Sequence, residues 1–132
     1  MVPEARLQAG PLRILVIEDE VLIRMVLVEE LRASGLAVIE ANSADEAWAY
    51  LQAGGQADLV FSDVHLPGSM DGLEFARRVD KYYPYLHIVL TSGSVALDSR
   101  DKRGKFLPKP YAFDDAVNIV LETLGLKPGM AS

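Results

Sequence analysis

Three carboxylates, an ammonium and a hydroxyl stand close behind short apolar runs. Glu18 and Asp19 follow the run 12–17, Asp63 follows 58–62, Thr91 follows 86–90, and Lys109 comes soon after 105–107. If those runs are neighbouring strands of one sheet, the five side chains open on a common mouth. Carboxylates brought together repel and raise one another's pKa unless a cation compensates, and a hard divalent ion with oxygen ligands is the usual compensation. Mg²⁺ is the natural candidate, and Lys109 with Thr91 would add the ammonium and hydroxyl needed to hold a phosphoryl group. Taken alone, Glu18, Asp19 and Glu20 would be ordinary complements to a helix dipole. It is Asp63 and Lys109, arriving from other strand ends, that argue for a site.

The elements that must position these groups alternate between short β-branched runs and longer helical patterns, the mark of a parallel sheet covered by helices. Residues 12–17 read as a first strand and 20–33 as a helix stopped by Gly35. A second strand spans 36–40. Ser43, with Glu46 three residues on, looks like a capping box opening a helix to Leu51, with Ala44, Ala47, Trp48 and Leu51 on one face. A third strand spans 58–62 and ends at Asp63; after loop chemistry at Leu66-Pro67-Gly68-Ser69, Asp71 caps another helix whose inward stripe is Leu73, Ala76 and Val79. Tyr83-Pro84 ends it, because the residue before proline is pushed out of the α region. Residues 86–90 form a fourth strand and 105–107 a short fifth. The polar stretch 94–103 supports only a brief or irregular helix. Phe113, Val117, Val120, Leu121 and Leu124 recur at helical spacing in a last helix closed by Gly125. In a doubly wound sheet of this kind, the functional crevice lies at the carboxyl ends of the strands, near the point where strand order reverses.

Composition narrows the function classes. The 132 residues fit one domain, with 50% hydrophobic and 24% charged content typical of a globular protein. We expect a leader over residues 1–11, a folded domain over 12–125 and a tail over 126–132. The absence of cysteine excludes a disulfide framework, a thiolate metal site and a cysteine nucleophile, and fits a reducing cytoplasm. No apolar run has the length of a membrane span, and residues 1–10 lack the layout of a signal peptide. A net charge of -6 argues against direct nucleic-acid binding, which rests on clustered Lys and Arg.

These residues, in this order, resemble the receiver domains of two-component response regulators across nearly the whole globular part. The resemblance lies in Ile14-Leu15-Val16-Ile17-Glu18-Asp19-Glu20, Asp58-Leu59-Val60-Phe61-Ser62-Asp63, Leu66-Pro67-Gly68-Ser69-Met70-Asp71-Gly72, Leu90-Thr91-Ser92-Gly93 and Lys109-Pro110. No one segment is specific; five in family order are. The resemblance implies a flavodoxin-like α/β fold with a doubly wound five-stranded parallel sheet in the order 2-1-3-4-5. It implies that Asp63 is the nucleophile that takes a phosphoryl group from a phosphohistidine. Glu18, Asp19, Asp63 and the backbone carbonyl of His65 would hold Mg²⁺, which neutralises charge developing in the transfer. Lys109, before a cis proline, would pair with phosphoryl oxygens, and Thr91 would hydrogen-bond the phosphoryl group. The implied switch moves the Thr91 hydroxyl inward and lets an aromatic residue of the fifth strand, here Phe106, turn from exposed to buried. Implied partners are a histidine kinase or histidine phosphotransfer protein and a downstream protein target, in the cytoplasm, with the chain a monomer or weak dimer. No external substrate would be turned over.

This sequence departs from the family pattern in three places. Phe106 stands where many members carry tyrosine, so burial alone would distinguish the two states. Ser69 lengthens its loop, as in stand-alone and hybrid-kinase receivers. The segment 93–104 is short for the family, which predicts a short or irregular fourth helix and removes the basis for the usual dimer built on that helix. The short segment also motivates a competing reading, an interaction module that binds partners without phosphorylation. A nucleotide-binding or hydrolytic enzyme is the third reading. It is disfavoured, since neither glycine-rich phosphate loop pattern nor a G-x-S-x-G turn occurs.

Overall fold

The computed structural model describes residues 10–93 and 104–126. Five strands, β1 (Arg13–Ile17), β2 (Ala37–Ala41), β3 (Leu59–Asp63), β4 (His87–Ser92) and β5 (Gly104–Pro108), form one parallel sheet in the order β2-β1-β3-β4-β5. The described helices are α1 (Val21–Ala33), α2 (Ala44–Gln52), α3 (Gly72–Tyr82) and α4 (Phe113–Thr123). The expected fold class is therefore the one observed. The predicted short or irregular helix at 94–103 lies outside the described residues.

Both faces of the sheet are covered, which is why its central strands are continuous apolar runs rather than alternating ones. Alternate residues of a strand point to opposite faces. Leu15, Ile17, Val60, Ile88 and Leu90 pack with Ala44, Ala47 and Leu51 of α2 and Phe75, Ala76 and Val79 of α3. Ile14, Val16, Leu59, Phe61 and Val89 pack with Leu27, Val28 and Leu31 of α1 and Ala116, Val120 and Leu121 of α4. The largest inward side chain of α3 is Phe75, fully buried, whereas Leu73 of the predicted stripe is only partly so. Trp48 of α2 meets Phe75, Tyr82 and Tyr83 edge to face, so the aromatic groups of that region form one packed cluster.

Helix ends follow local chemistry. Ser43 Oγ accepts from the Glu46 N–H at 3.1 Å, and Asp71 Oδ1 accepts from the Glu74 N–H at 2.8 Å. The Glu46 carboxylate reaches back to the Asn42 N–H rather than to Ser43, a displaced capping box. Gly35 (φ 91°) and Gly125 (φ 76°) both close helices with a left-handed residue. After each, the next N–H bonds back into the helix, Leu36 to the Leu31 carbonyl and Leu126 to the Leu121 carbonyl. The helix expected from Glu20 instead starts at Val21, with Glu20 extended and making no side-chain cap bond.

Strand order reverses between β1 and β3, which carry Glu18, Asp19 and Asp63 at their carboxyl ends. Ile17 pairs with Ser62, which brings the following residues, Glu18 and Asp63, level.

Candidate functional site at the carboxyl ends of the strands

Glu18, Asp19 and Asp63 each offer a carboxylate oxygen, all within 4.8 Å of one another. Glu18 and Asp63 are 3% and 8% exposed, while Asp19 is open to solvent. The pocket is thus mostly shielded but has a mouth. Burial pushes the Glu18 carboxyl above its usual range, and the neighbouring Asp63 and Asp19 charges push the same way. The Glu20 N–H, at 3.1 Å from Glu18 Oε2, and the Lys109 ammonium oppose the rise without cancelling it.

Lys109 reaches the same pocket. Its Nζ lies 2.5 Å from Asp63 Oδ2 and 3.6 Å from Glu18 Oε1. Burial alone would lower the ammonium's pKa; the hydrogen bond to Asp63 and the Glu18 charge outweigh it, and the net shift is upward. The Lys109-Pro110 peptide is cis, and the Lys109 N–H continues the ladder by donating to the Ser92 carbonyl at 2.9 Å.

Asp63 is held from several sides. Its Oδ1 accepts the His65 N–H at 3.1 Å, its carbonyl accepts the Ser62 hydroxyl, and Val64 N–H bonds the Thr91 carbonyl. The expected third strand ends at Asp63, as β3 does, whereas β4 runs past the expected 86–90 through Thr91 and Ser92. The reason is that Asp63 pairs with Thr91 in the register, so the ladder extends past the apolar run. Gly72 closes the floor: a Cβ there would sit 2.0 Å from the Asp63 carbonyl oxygen.

Thr91 is 1% exposed, and its Oγ1 is a buried hydroxyl without a hydrogen-bond partner. Such an orphan carries a penalty of about 1–3 kcal/mol, the kind of feature that an arriving acceptor removes. Phe106 of β5 is paired with Leu90, one register step from the Thr91–Leu107 pair, and is 37% exposed. His65 has an exposed side chain and meets the site through its main-chain N–H on Asp63.

Sequence reasoning did not single out Arg24, whose Nη1 donates to the Glu18 carbonyl at 2.7 Å and also to Asn42 Oδ1, while Nε reaches Glu40. It thereby ties the loop bearing the acidic pair to the end of β2. Nor did it single out Tyr111, whose buried hydroxyl also has no partner. The Asp45–Ser69 clasp was missed as well. Ser69 Oγ lies 2.6 Å from Asp45 Oδ1, and its N–H bonds Oδ2, fastening the lengthened loop to α2 and holding the Asp45 carboxyl below its usual range.

Three converging carboxylates form an all-oxygen donor set that suits a hard divalent ion. The residues present fit such an ion. Among the described residues, no helix is long and apolar enough to cross a membrane.

Comparison with known proteins agrees with this geometry. The family model for the response regulator receiver domain matches residues 14–120. The chain is 35% identical over 123 residues to the sensor kinase CckA of Brucella abortus, covering 88% of this chain and 13% of that kinase. It is 34% identical over 117 residues to the response regulator receiver protein CpdR of the same organism, covering 85% of this chain and 96% of CpdR. Among solved structures, the response regulator TrrA of Thermotoga maritima, in complex with Mg²⁺ and BeF, superposes with a TM-score of 0.75 at 30% identity, covering 85% of this chain and 98% of that one.

Proposed function

The chain belongs to the response regulator receiver family, the phosphoacceptors of two-component signalling, and from that premise we propose that Asp63 is its acceptor. The observation that carries this assignment is the meeting of Asp63 Oδ2 with Lys109 Nζ inside the cluster of Glu18, Asp19 and Asp63. An Asp63 oxygen attacks the phosphorus of a phosphohistidine. The new O–P bond forms as the N–P bond breaks, and the imidazole leaves with its electron pair. Glu18, Asp19, Asp63 and the His65 carbonyl would hold Mg²⁺, whose chemistry is to neutralise charge on the phosphoryl oxygens. Lys109 is placed to pair with a phosphoryl oxygen on Asp63.

Thr91 then gains the acceptor that its buried hydroxyl lacks. As the hydroxyl turns toward the phosphoryl group, Phe106 moves from its half-exposed position into the space behind, and this change is the signal. The chain catalyses only its own phosphorylation and dephosphorylation. Its donor is a histidine kinase or histidine phosphotransfer protein and its reader a downstream protein, with no direct contact to nucleic acid or membrane. It acts in the cytoplasm as a monomer or weak dimer. Val21, Leu22, Met25 and Val26 are exposed at the start of α1, beside the acidic mouth, and support docking of a protein donor there.

Incubation with acetyl phosphate and Mg²⁺ should add one phosphate, seen by intact mass, and chelation should abolish it. An Asp63→Asn protein labelled to the same extent would overturn the assignment.

A further inference from the structure

Tyr111 carries a polar group that the proposed reaction leaves unused. Its ring is wedged edge to face between Phe61 and Phe113, centroids 6.0 Å from each, so the phenol has little freedom to swing out to water. Its hydroxyl is buried and has no hydrogen-bond partner. Burial pushes the phenol up to about 12, and the Glu18 carboxylate is the strongest charged influence on it, ahead of Lys109, Asp63 and Glu20. Phe61 stands two residues before Asp63, and its register partner Val16 two before Glu18, so Tyr111 packs on the sheet face that carries both carboxylates, and as a neutral phenol it can donate there. A buried O–H without an acceptor is costly to keep, and such a group in a native fold calls for an explanation, of which a functional role is one.

We propose that Tyr111 is a positioning residue for Glu18: its hydroxyl donates to the Glu18 carboxylate, directly or through a water, when the pocket holds a divalent cation. This rests on the assignment of that pocket as a cation site. The physical reason is charge. Lys109 compensates Glu18 in the metal-free pocket, but an ammonium repels an incoming cation and must yield its share of Glu18. A phenol supplies the replacement hydrogen bond with no net charge, and so orients the carboxylate without opposing the ion.

The test is Tyr111→Phe, which keeps the ring and its two aromatic contacts. Mg²⁺ affinity of the unphosphorylated protein is measured by calorimetry and by amide chemical shifts, and the Tyr111 Cζ resonance is followed in wild type labelled at tyrosine. The expected result is Mg²⁺ binding about three- to tenfold weaker in the variant, the range of one hydrogen bond. A Mg²⁺-dependent shift of the Tyr111 resonance should accompany it, as should a metal-free thermal midpoint no lower than that of wild type. Equal affinities, or a Tyr111 resonance that Mg²⁺ does not move, would overturn the role of Tyr111 while leaving the cation site standing. If neither protein bound Mg²⁺, the pocket assignment and this role would fall together.

Discussion

Gly72→Ala sets two effects against each other, and the structure decides between them. Gly72 is the first residue of α3, where alanine is the better helix former by up to about 1 kcal/mol, so local propensity predicts a stabilised protein. The added Cβ, however, would lie 2.0 Å from the Asp63 carbonyl oxygen and 2.8 Å from Val64 Cα, where real Cβ contacts stay beyond 3.0 Å. Something must move by about 1 Å, and the obstacle is backbone at the proposed acceptor rather than a flexible side chain. Overpacking of this kind costs about 1–3 kcal/mol, which outweighs the propensity gain. With typical total stabilities of about 5–15 kcal/mol, the variant stays folded. A displacement of about 1 Å at a reacting group costs on the order of 10²-fold in rate, so phosphorylation should fall far more than unfolding could explain. Urea midpoints give the stability change, and intact-mass time courses with acetyl phosphate give the rate. A variant more stable than wild type that is phosphorylated within twofold of its rate would refute the close-approach argument.

Glu18→Gln removes a carboxyl whose folded-state pKa is raised. The folded protein then holds that proton more tightly than the unfolded chain, so Glu18 lowers stability as pH climbs from 4.5 through the raised value. Urea titrations at pH 4 and pH 7 should show a smaller acid-to-neutral decline in the variant, together with Mg²⁺ binding at least tenfold weaker. Lys109→Met removes an ammonium whose pKa is raised, so its contribution, about 1.5–3 kcal/mol as a charged hydrogen bond, is present below 10.5 and lost as pH rises through the higher folded value. The alkaline loss of stability should therefore be smaller in the variant. Its Mg²⁺ affinity should equal or exceed that of wild type, since no ammonium competes, while its phosphorylation slows by about 10²-fold or more. Thr91→Val deletes an orphaned hydroxyl at nearly constant shape and should stabilise the unphosphorylated protein by about 1 kcal/mol in thermal melts. The Phe106 ring resonances should then fail to shift on phosphorylation.

The sheet and its order were legible because buried parallel strands leave continuous apolar runs and the helices between them keep their period. The acidic pair, Asp63 and Lys109 were legible because strand ends in such a sheet share one edge. What escaped depended on contacts between residues distant in sequence or on exact packing. The pairing of Thr91 with Asp63 carries the fourth strand beyond its apolar segment. The Asp45–Ser69 clasp joins residues 24 apart. Phe75 is fully buried while Leu73 packs only partly against the same core, a matter of how α3 seats on the sheet. For Tyr111, a signal was present: a tyrosine two residues past a strand-end lysine must place a hydroxyl somewhere. Only the contacts with Phe61 and Phe113 show that it points inward.

The account stands on one pocket in which Glu18, Asp19 and Asp63 share a cation. Mn²⁺ in place of Mg²⁺ makes that pocket visible, because its unpaired electrons broaden nearby amide resonances steeply with distance. The account predicts that substoichiometric Mn²⁺ first broadens the amides of Glu18, Asp19, Glu20 and those from Asp63 to His65, and that excess Mg²⁺ restores them. Broadening centred elsewhere, such as on the half-buried Glu74 and the exposed Asp80 of α3, with the amides around Asp63 left sharp, would contradict it.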